Sequence, residues 1–70
     1  MLTVGENVRA WRERRSYGQT ELANLVGITP AGLFRIEKGQ RQPRPATLRK
    51  IAEALGIDVE VLNGKGDDDA

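Results

Sequence analysis

Apolar residues return every three or four positions along most of the chain and the returns break at glycines, a pattern that predicts a series of short amphipathic helices. Val4, Val8 and Trp11 make the first stripe, with Arg15 continuing the spacing and Arg9, Glu13 and Arg14 facing water. Thr3-Val4-Gly5-Glu6 has the order in which a hydroxyl and a carboxylate cap each other's backbone N–H groups, so this helix is expected to begin after Thr3 and to end at Ser16-Tyr17-Gly18. Leu22, Ala23 and Val26 form a second stripe, Leu33 and Ile36 a third, and Leu48, Ile51, Ala52 and Leu55 a fourth that Gly56 ends. Asp58 is placed to cap a last short helix through Leu62.

The break between the second and third stripes organises the rest. Gly27 suits the left-handed conformation that closes a helix, Thr29 can cap the next one, and Pro30 falls at its first position, where a missing N–H costs nothing. Ala23 is small enough for two helices joined by so short a turn to cross closely. Gly18, at the cap of the second helix, offers no side-chain acceptor, while Glu21 can satisfy a freed N–H and the bare helix end can receive a phosphate. The third helix is expected over Pro30 to Lys38, stopping at Gly39.

From Val4 to Leu62 the chain carries in order Gln19-x-x-Leu22-Ala23, Gly27, Leu33 with Ile36, Glu37-x-Gly39, Pro43, and Leu48-x-x-Ile51-Ala52-x-x-Leu55-Gly56. This succession resembles the Cro/repressor-type (Xre-like) helix-turn-helix DNA-binding family. The resemblance implies an all-α fold, a compact five-helix lambda-repressor-like domain over residues 1–63 with the helix-turn-helix at its second and third helices. Residues 64–70 have nothing to bury and read as a disordered acidic tail.

Composition narrows the function by exclusion. Seventy residues suffice for one small domain, and without Cys or His the chain offers no disulfide and none of the usual structural zinc sites. With Ser16 as the single serine, the common nucleophile and base pairs cannot be assembled, so no enzyme activity and no cofactor are expected. No apolar run approaches the roughly 20 residues needed to cross a bilayer, and MLTVGENVRAWRERR lacks the order of a secretory signal, so a cytoplasmic protein is expected.

The net charge of +1 conceals a strong asymmetry. Residues 4–50 hold ten Lys or Arg against four Glu, a net of +6, whereas residues 51–70 carry a net of −5. The basic part suits a polyanion; a solvated helical surface with an acidic solubilising tail is the equal reading on charge alone.

What the resemblance adds is residue roles. It implies that the outward side of the third helix, Ala31, Phe34, Arg35 and Lys38, enters the major groove of duplex DNA. Arg35 is the evident base reader, through the two acceptors of guanine, and Ala31 and Phe34 can pack on thymine methyls. The pattern departs from the family here, because Pro30, Ala31 and Gly32 stand where polar readers are usual. Phosphate contacts are expected from Gln19, Thr29, Lys38 and Arg41, the last in the polar loop Gln40 to Arg44; without the resemblance Gln19 reads as an ordinary exposed glutamine. Arg12 and Glu37 match the family's ion pair between the first helix and the recognition helix. A homodimer is expected, with Val59 and Val61 as its seam. Trp11 reads as core, with base stacking as the other use of an aromatic. Taken together these expectations describe a sequence-specific transcriptional regulator, a repressor acting by occlusion. The runner-up is a protein-interaction module or antitoxin-type partner on the same scaffold, using an exposed Phe34.

Overall fold

Five α-helices occupy residues 3–64, the part of the chain that the structure, a computed structural model, describes: α1 (Val4–Arg14), α2 (Gln19–Val26), α3 (Pro30–Glu37), α4 (Pro45–Leu55) and α5 (Val59–Leu62). The expected tail lies, from Lys65 onward, outside the described residues. Four of the five starts have a side-chain hydrogen bond at the cap, whereas α4 opens on Pro45 after Arg44 without one. Thr3 Oγ1 accepts from the Glu6 N–H at 3.1 Å while Glu6 Oε1 accepts from the Thr3 N–H at 2.9 Å. Glu21 takes the Gly18 N–H at 3.3 Å, Thr29 Oγ1 takes that of Gly32 at 3.0 Å, and Asp58 takes that of Glu60 at 3.1 Å. Gly27 and Gly56, at φ of +88° and +73°, close α2 and α4. The third helix ends one residue before Lys38: Gly39, at φ +78°, donates to the Ile36 carbonyl at 3.1 Å, which tightens the last turn and leaves Lys38 as its cap.

The apolar stripes of α2, α3 and α4 meet in one core. Leu22, Leu33, Ile51, Leu55 and Leu62 are fully buried there, each worth about 1.5–3 kcal/mol of transfer free energy, together with Val8 and Ala23. α2 and α3 pack on each other across the Gly27 turn, α1 lies against α3, and α4 closes the far side of α2.

On α1 the expected stripe is only partly right. Val8 is buried, but Val4 and Trp11 are half-buried, and the other buried positions are Gly5, Asn7 and Arg12. The reason is how closely α1 approaches α3. A Cβ on Gly5 would collide with the Ile36 carbonyl oxygen and stand 2.9 Å from that of Glu37, so the backbones touch where a side chain would hold them apart. Asn7 also faces inward, where its Nδ2 donates to the Leu62 carbonyl at 2.9 Å and ties α5 to α1. Trp11 lies at the margin, its ring met by the guanidinium groups of Arg14 at 4.5 Å and Arg15 at 5.3 Å. Arg15 Nε donates in turn to the Leu55 carbonyl at 2.8 Å, a cation at the C-terminal end of α4.

Candidate nucleic-acid interface

The exposed side of α3 follows from its buried side. Leu33, Ile36 and Glu37 face inward, and the 100° step per residue then sends Ala31, Phe34 and Arg35 outward, where all three are exposed. Phe34 keeps 43% of its surface exposed, and the Lys38 ammonium sits 5.5 Å from its ring centroid. No hydrogen bond or salt bridge engages the Arg35 side chain among the described residues.

What holds this face at its angle is the opposite edge of the helix. Arg12 and Glu37 form a two-pronged pair, Nε to Oε2 at 2.7 Å and Nη2 to Oε1 at 3.2 Å, with side chains only 11% and 3% exposed. The third arm of the guanidinium donates to the Tyr17 carbonyl at 2.8 Å, so the same arginine fixes the turn that leads into α2. Glu37 Oε1 also accepts from Gln19 Nε2 at 3.0 Å. One carboxylate therefore joins α1, the first residue of α2 and the last residue of α3. Among the described residues no buried side-chain polar atom is left without a partner, as a buried charge requires.

Two clefts flank α3. The smaller, about 170 Å³, is lined by Arg9, Arg12, Gln19, Phe34, Glu37 and Lys38. The larger, about 350 Å³, lies on the other flank between the helix-turn-helix and the loop before α4, and Thr29, Gly32, Arg41, Arg44 and Thr47 line it. The expected phosphate residues thus divide, Gln19 and Lys38 on one flank, Thr29 and Arg41 on the other, with Ala31 and Arg35 on the ridge between. The Gln40 and Arg41 N–H groups both donate to the Arg35 carbonyl, at 2.9 and 3.3 Å, which sets the loop at the foot of α3. Arg35, Lys38, Arg41 and Arg44 enter no salt bridge among the described residues, so their charge is available to an external anion.

Reading the helical wheel finds Arg35 and Phe34, but neither the Gln19 bond to Glu37 nor the place of Arg44 and Thr47 in the larger cleft. The first depends on where α3 ends in space. For the second, the basic loop Gln40 to Arg44 was a signal that pointed only to Arg41. Among the described residues no group of His, Cys, Asp and Glu is arranged to hold a metal ion, and no helix is long and apolar enough to cross a membrane.

Comparison with known proteins agrees with the fold. A family model described as helix-turn-helix matches residues 8–62. The HTH-type transcriptional repressor RghR of Bacillus subtilis is 48% identical over 63 residues, covering 89% of this chain and 47% of that protein, so the chain spans about half the length of this relative. The restriction-modification controller protein C.AhdI from Aeromonas hydrophila superposes with a TM-score of 0.82 at 30% identity, over 84% of this chain and 89% of that one. The P22 c2 repressor in complex with a synthetic operator superposes with a TM-score of 0.86 at 27% identity, over 96% of this chain and all of the other.

Proposed function

We propose, from the premise that this chain belongs to the helix-turn-helix family, that it is a transcriptional regulator binding duplex DNA with α3 in the major groove, and that it represses by occupying its operator. The observation that carries the proposal is the ridge of α3, exposed at Ala31, Phe34 and Arg35 and flanked by clefts that contain Gln19 and Lys38 on one side and Thr29 and Arg41 on the other. A helix in a groove meets a phosphate backbone on each side, which is how those four residues are disposed. Phosphate contacts set register, and Arg35 reads the bases. The likeness to a repressor bound to operator DNA and to a restriction-control protein supports the same reading, and so does the basic charge of residues 4–50. Such a protein works in the cytoplasm, beside the DNA.

The protein acts on DNA as a symmetric pair. Val61 on α5 stays half exposed next to the buried Leu62, and Val59 packs on the core with part of its surface free, so these two residues offer the seam. A palindromic operator with half-sites about one helical turn apart is the corollary.

Selection of bound sequences from random duplex DNA at a stated moderate salt tests the proposal and reveals the site. Affinity should fall with salt at a log-log slope of about −0.9 per phosphate neutralised. A binding constant indifferent to salt, or no enriched sequence, counts against it. A strict monomer in sedimentation on DNA carrying two half-sites refutes the pair. The exposure of Phe34 favours one competing reading, a protein-interaction or antitoxin-type module using this residue, which predicts featureless DNA binding and a protein partner that protects α3.

A further inference from the structure

Resting on the DNA reading above, we infer that α3 reads guanine beside a pyrimidine carrying a C5 methyl group, and that 5-methylcytosine serves there in place of thymine. The argument begins with what the outer face of α3 lacks. In the major groove adenine is read by a side chain that both accepts and donates, and cytosine by one that accepts from its amino group. The single carboxylate of α3, Glu37, is 3% exposed and its oxygens are taken by Arg12 and Gln19. No Asn or Gln occurs from Thr29 to Gly39, and Thr29, which caps Gly32, lines the cleft beside Arg41 and not the outer ridge. What faces outward is two donors, Arg35 and Lys38, and two apolar groups, Ala31 and Phe34. Arg35 matches guanine O6 and N7, Lys38 lying on the flank with the phosphate contacts; the apolar groups match a pyrimidine methyl.

Placement joins these features into one surface. Ala31 is one turn from Phe34 and from Arg35, so apolar area and guanidinium are contiguous. One side of the Phe34 ring is occupied by Lys38, and 43% of the residue stays exposed. Among base substituents in the major groove, the C5 methyl is the one whose burial there is favourable. Thymine and 5-methylcytosine share that methyl and differ at C4, where one carries a carbonyl and the other an amino group. Ala31 and Phe34 have no polar atom with which to tell those two apart.

The test uses the duplex selected by the unaltered protein. Replacing a contacted thymine by deoxyuridine removes only the methyl and should weaken binding roughly fourfold, the worth of one buried methyl group. Exchanging the same T·A pair for C·G should weaken binding, and methylating that cytosine at C5 should recover about the same factor. In Phe34→Ala both methyl effects should fall towards unity while the guanine preference persists. Deoxyuridine duplexes that all bind as well as their thymine parents overturn the inference, as do methyl effects undiminished in Phe34→Ala. So does a Phe34→Ala variant that binds every duplex normally and loses a protein partner instead. If the unaltered protein enriches no duplex, the DNA reading itself fails, a result distinct from enrichment that ignores the methyl group.

Discussion

On its inner side α3 is held by apolar packing at Leu33 and Ile36, by a buried ion pair at Glu37, and by backbone contact with Gly5, whereas on its outer side the Ala31 and Arg35 side chains are exposed and make no hydrogen bond among the described residues. Eight residues thus carry two sets of constraints that hardly overlap. Changes on the inner side should alter whether the domain folds, and changes on the outer side what it binds. The two sides meet at Gln19, whose amide is fixed by Glu37 and which also lines the cleft beside Phe34.

The largest expected effects lie on the inner side. Glu37→Ala strands the Arg12 guanidinium, 11% exposed, without its carboxylate, and breaking a buried pair in this way costs about 3–5 kcal/mol. At roughly 0.05–0.15 kcal/mol per residue a domain of this size has about 3.5–10 kcal/mol in all, and 1 kcal/mol moves the midpoint by roughly 4–8 °C, so thermal unfolding should drop by about 12 °C or more. A midpoint within a degree or two of the parent would show the pair to be dispensable. Gly5→Ala should be comparably severe, although helix propensity alone predicts a gain of about 1 kcal/mol, because the added methyl meets two backbone oxygens that cannot swing aside. At Gly18, the N-cap of α2, where an added Cβ meets nothing within 4 Å, the same change should cost no more than about 1 kcal/mol, the difference in capping between Gly and Ala.

Asn7→Ala comes next. It leaves the Leu62 carbonyl without its donor, and a buried acceptor stranded in this way costs about 1–3 kcal/mol. Because that bond joins α1 to α5, hydrogen exchange should quicken first in α5. Uniform loss of protection across all five helices would mean that α5 does not open separately.

These inner contacts also show what could be read from sequence and what could not. The stripes of α2, α3 and α4 were legible because a 3.6-residue period repeats locally, and the Thr3, Gly27 and Thr29 caps because their partners lie within four residues. The pairing of Arg12 with Glu37 came from resemblance, not from spacing. The contacts of Gly5, Asn7 and Arg15 were not legible, since their partners stand at Ile36, Leu62 and Leu55, and only the docking of whole helices decides such contacts. On the candidate interface, the outward set Ala31, Phe34 and Arg35 follows from a helical wheel, while the link between Gln19 and Glu37 needed the end of α3 located in space.

For the outer side the comparison predicts binding effects without stability effects. Arg35→Ala should lose about 1–3 kcal/mol on the preferred duplex and little on random DNA, while Arg41→Ala should weaken both and make the salt slope shallower by about one. Both variants should melt within the roughly 0.5 kcal/mol usual for exposed positions. If Arg35→Ala leaves sequence preference unchanged, direct readout by this residue is excluded and DNA shape or the Arg41 loop must supply it.

The smallest effect expected is a gain, and it tests whether the inner side can be strengthened without touching the outer. Ser16 holds φ at +62° in the turn after α1, a left-handed conformation that costs an L-residue about 1–2 kcal/mol. The turn needs that conformation, because it lets the Tyr17 N–H reach the Arg12 carbonyl at 3.0 Å and presents the Tyr17 carbonyl to Arg12 Nη1 at 2.8 Å. Ser16→Gly removes the clash of the Cβ but adds freedom to the unfolded chain worth about 0.4–1 kcal/mol, so the net gain should be between about 0 and 1.6 kcal/mol. Denaturant unfolding should show a higher midpoint at unchanged slope, and affinity for duplex DNA should not move, the mirror image of Arg35→Ala. A lower midpoint would mean that the serine hydroxyl contributes more to the turn than its backbone strain costs. A changed affinity would mean that the turn adjusts α3 through Arg12 and Glu37, and that the two sides of the helix are coupled after all.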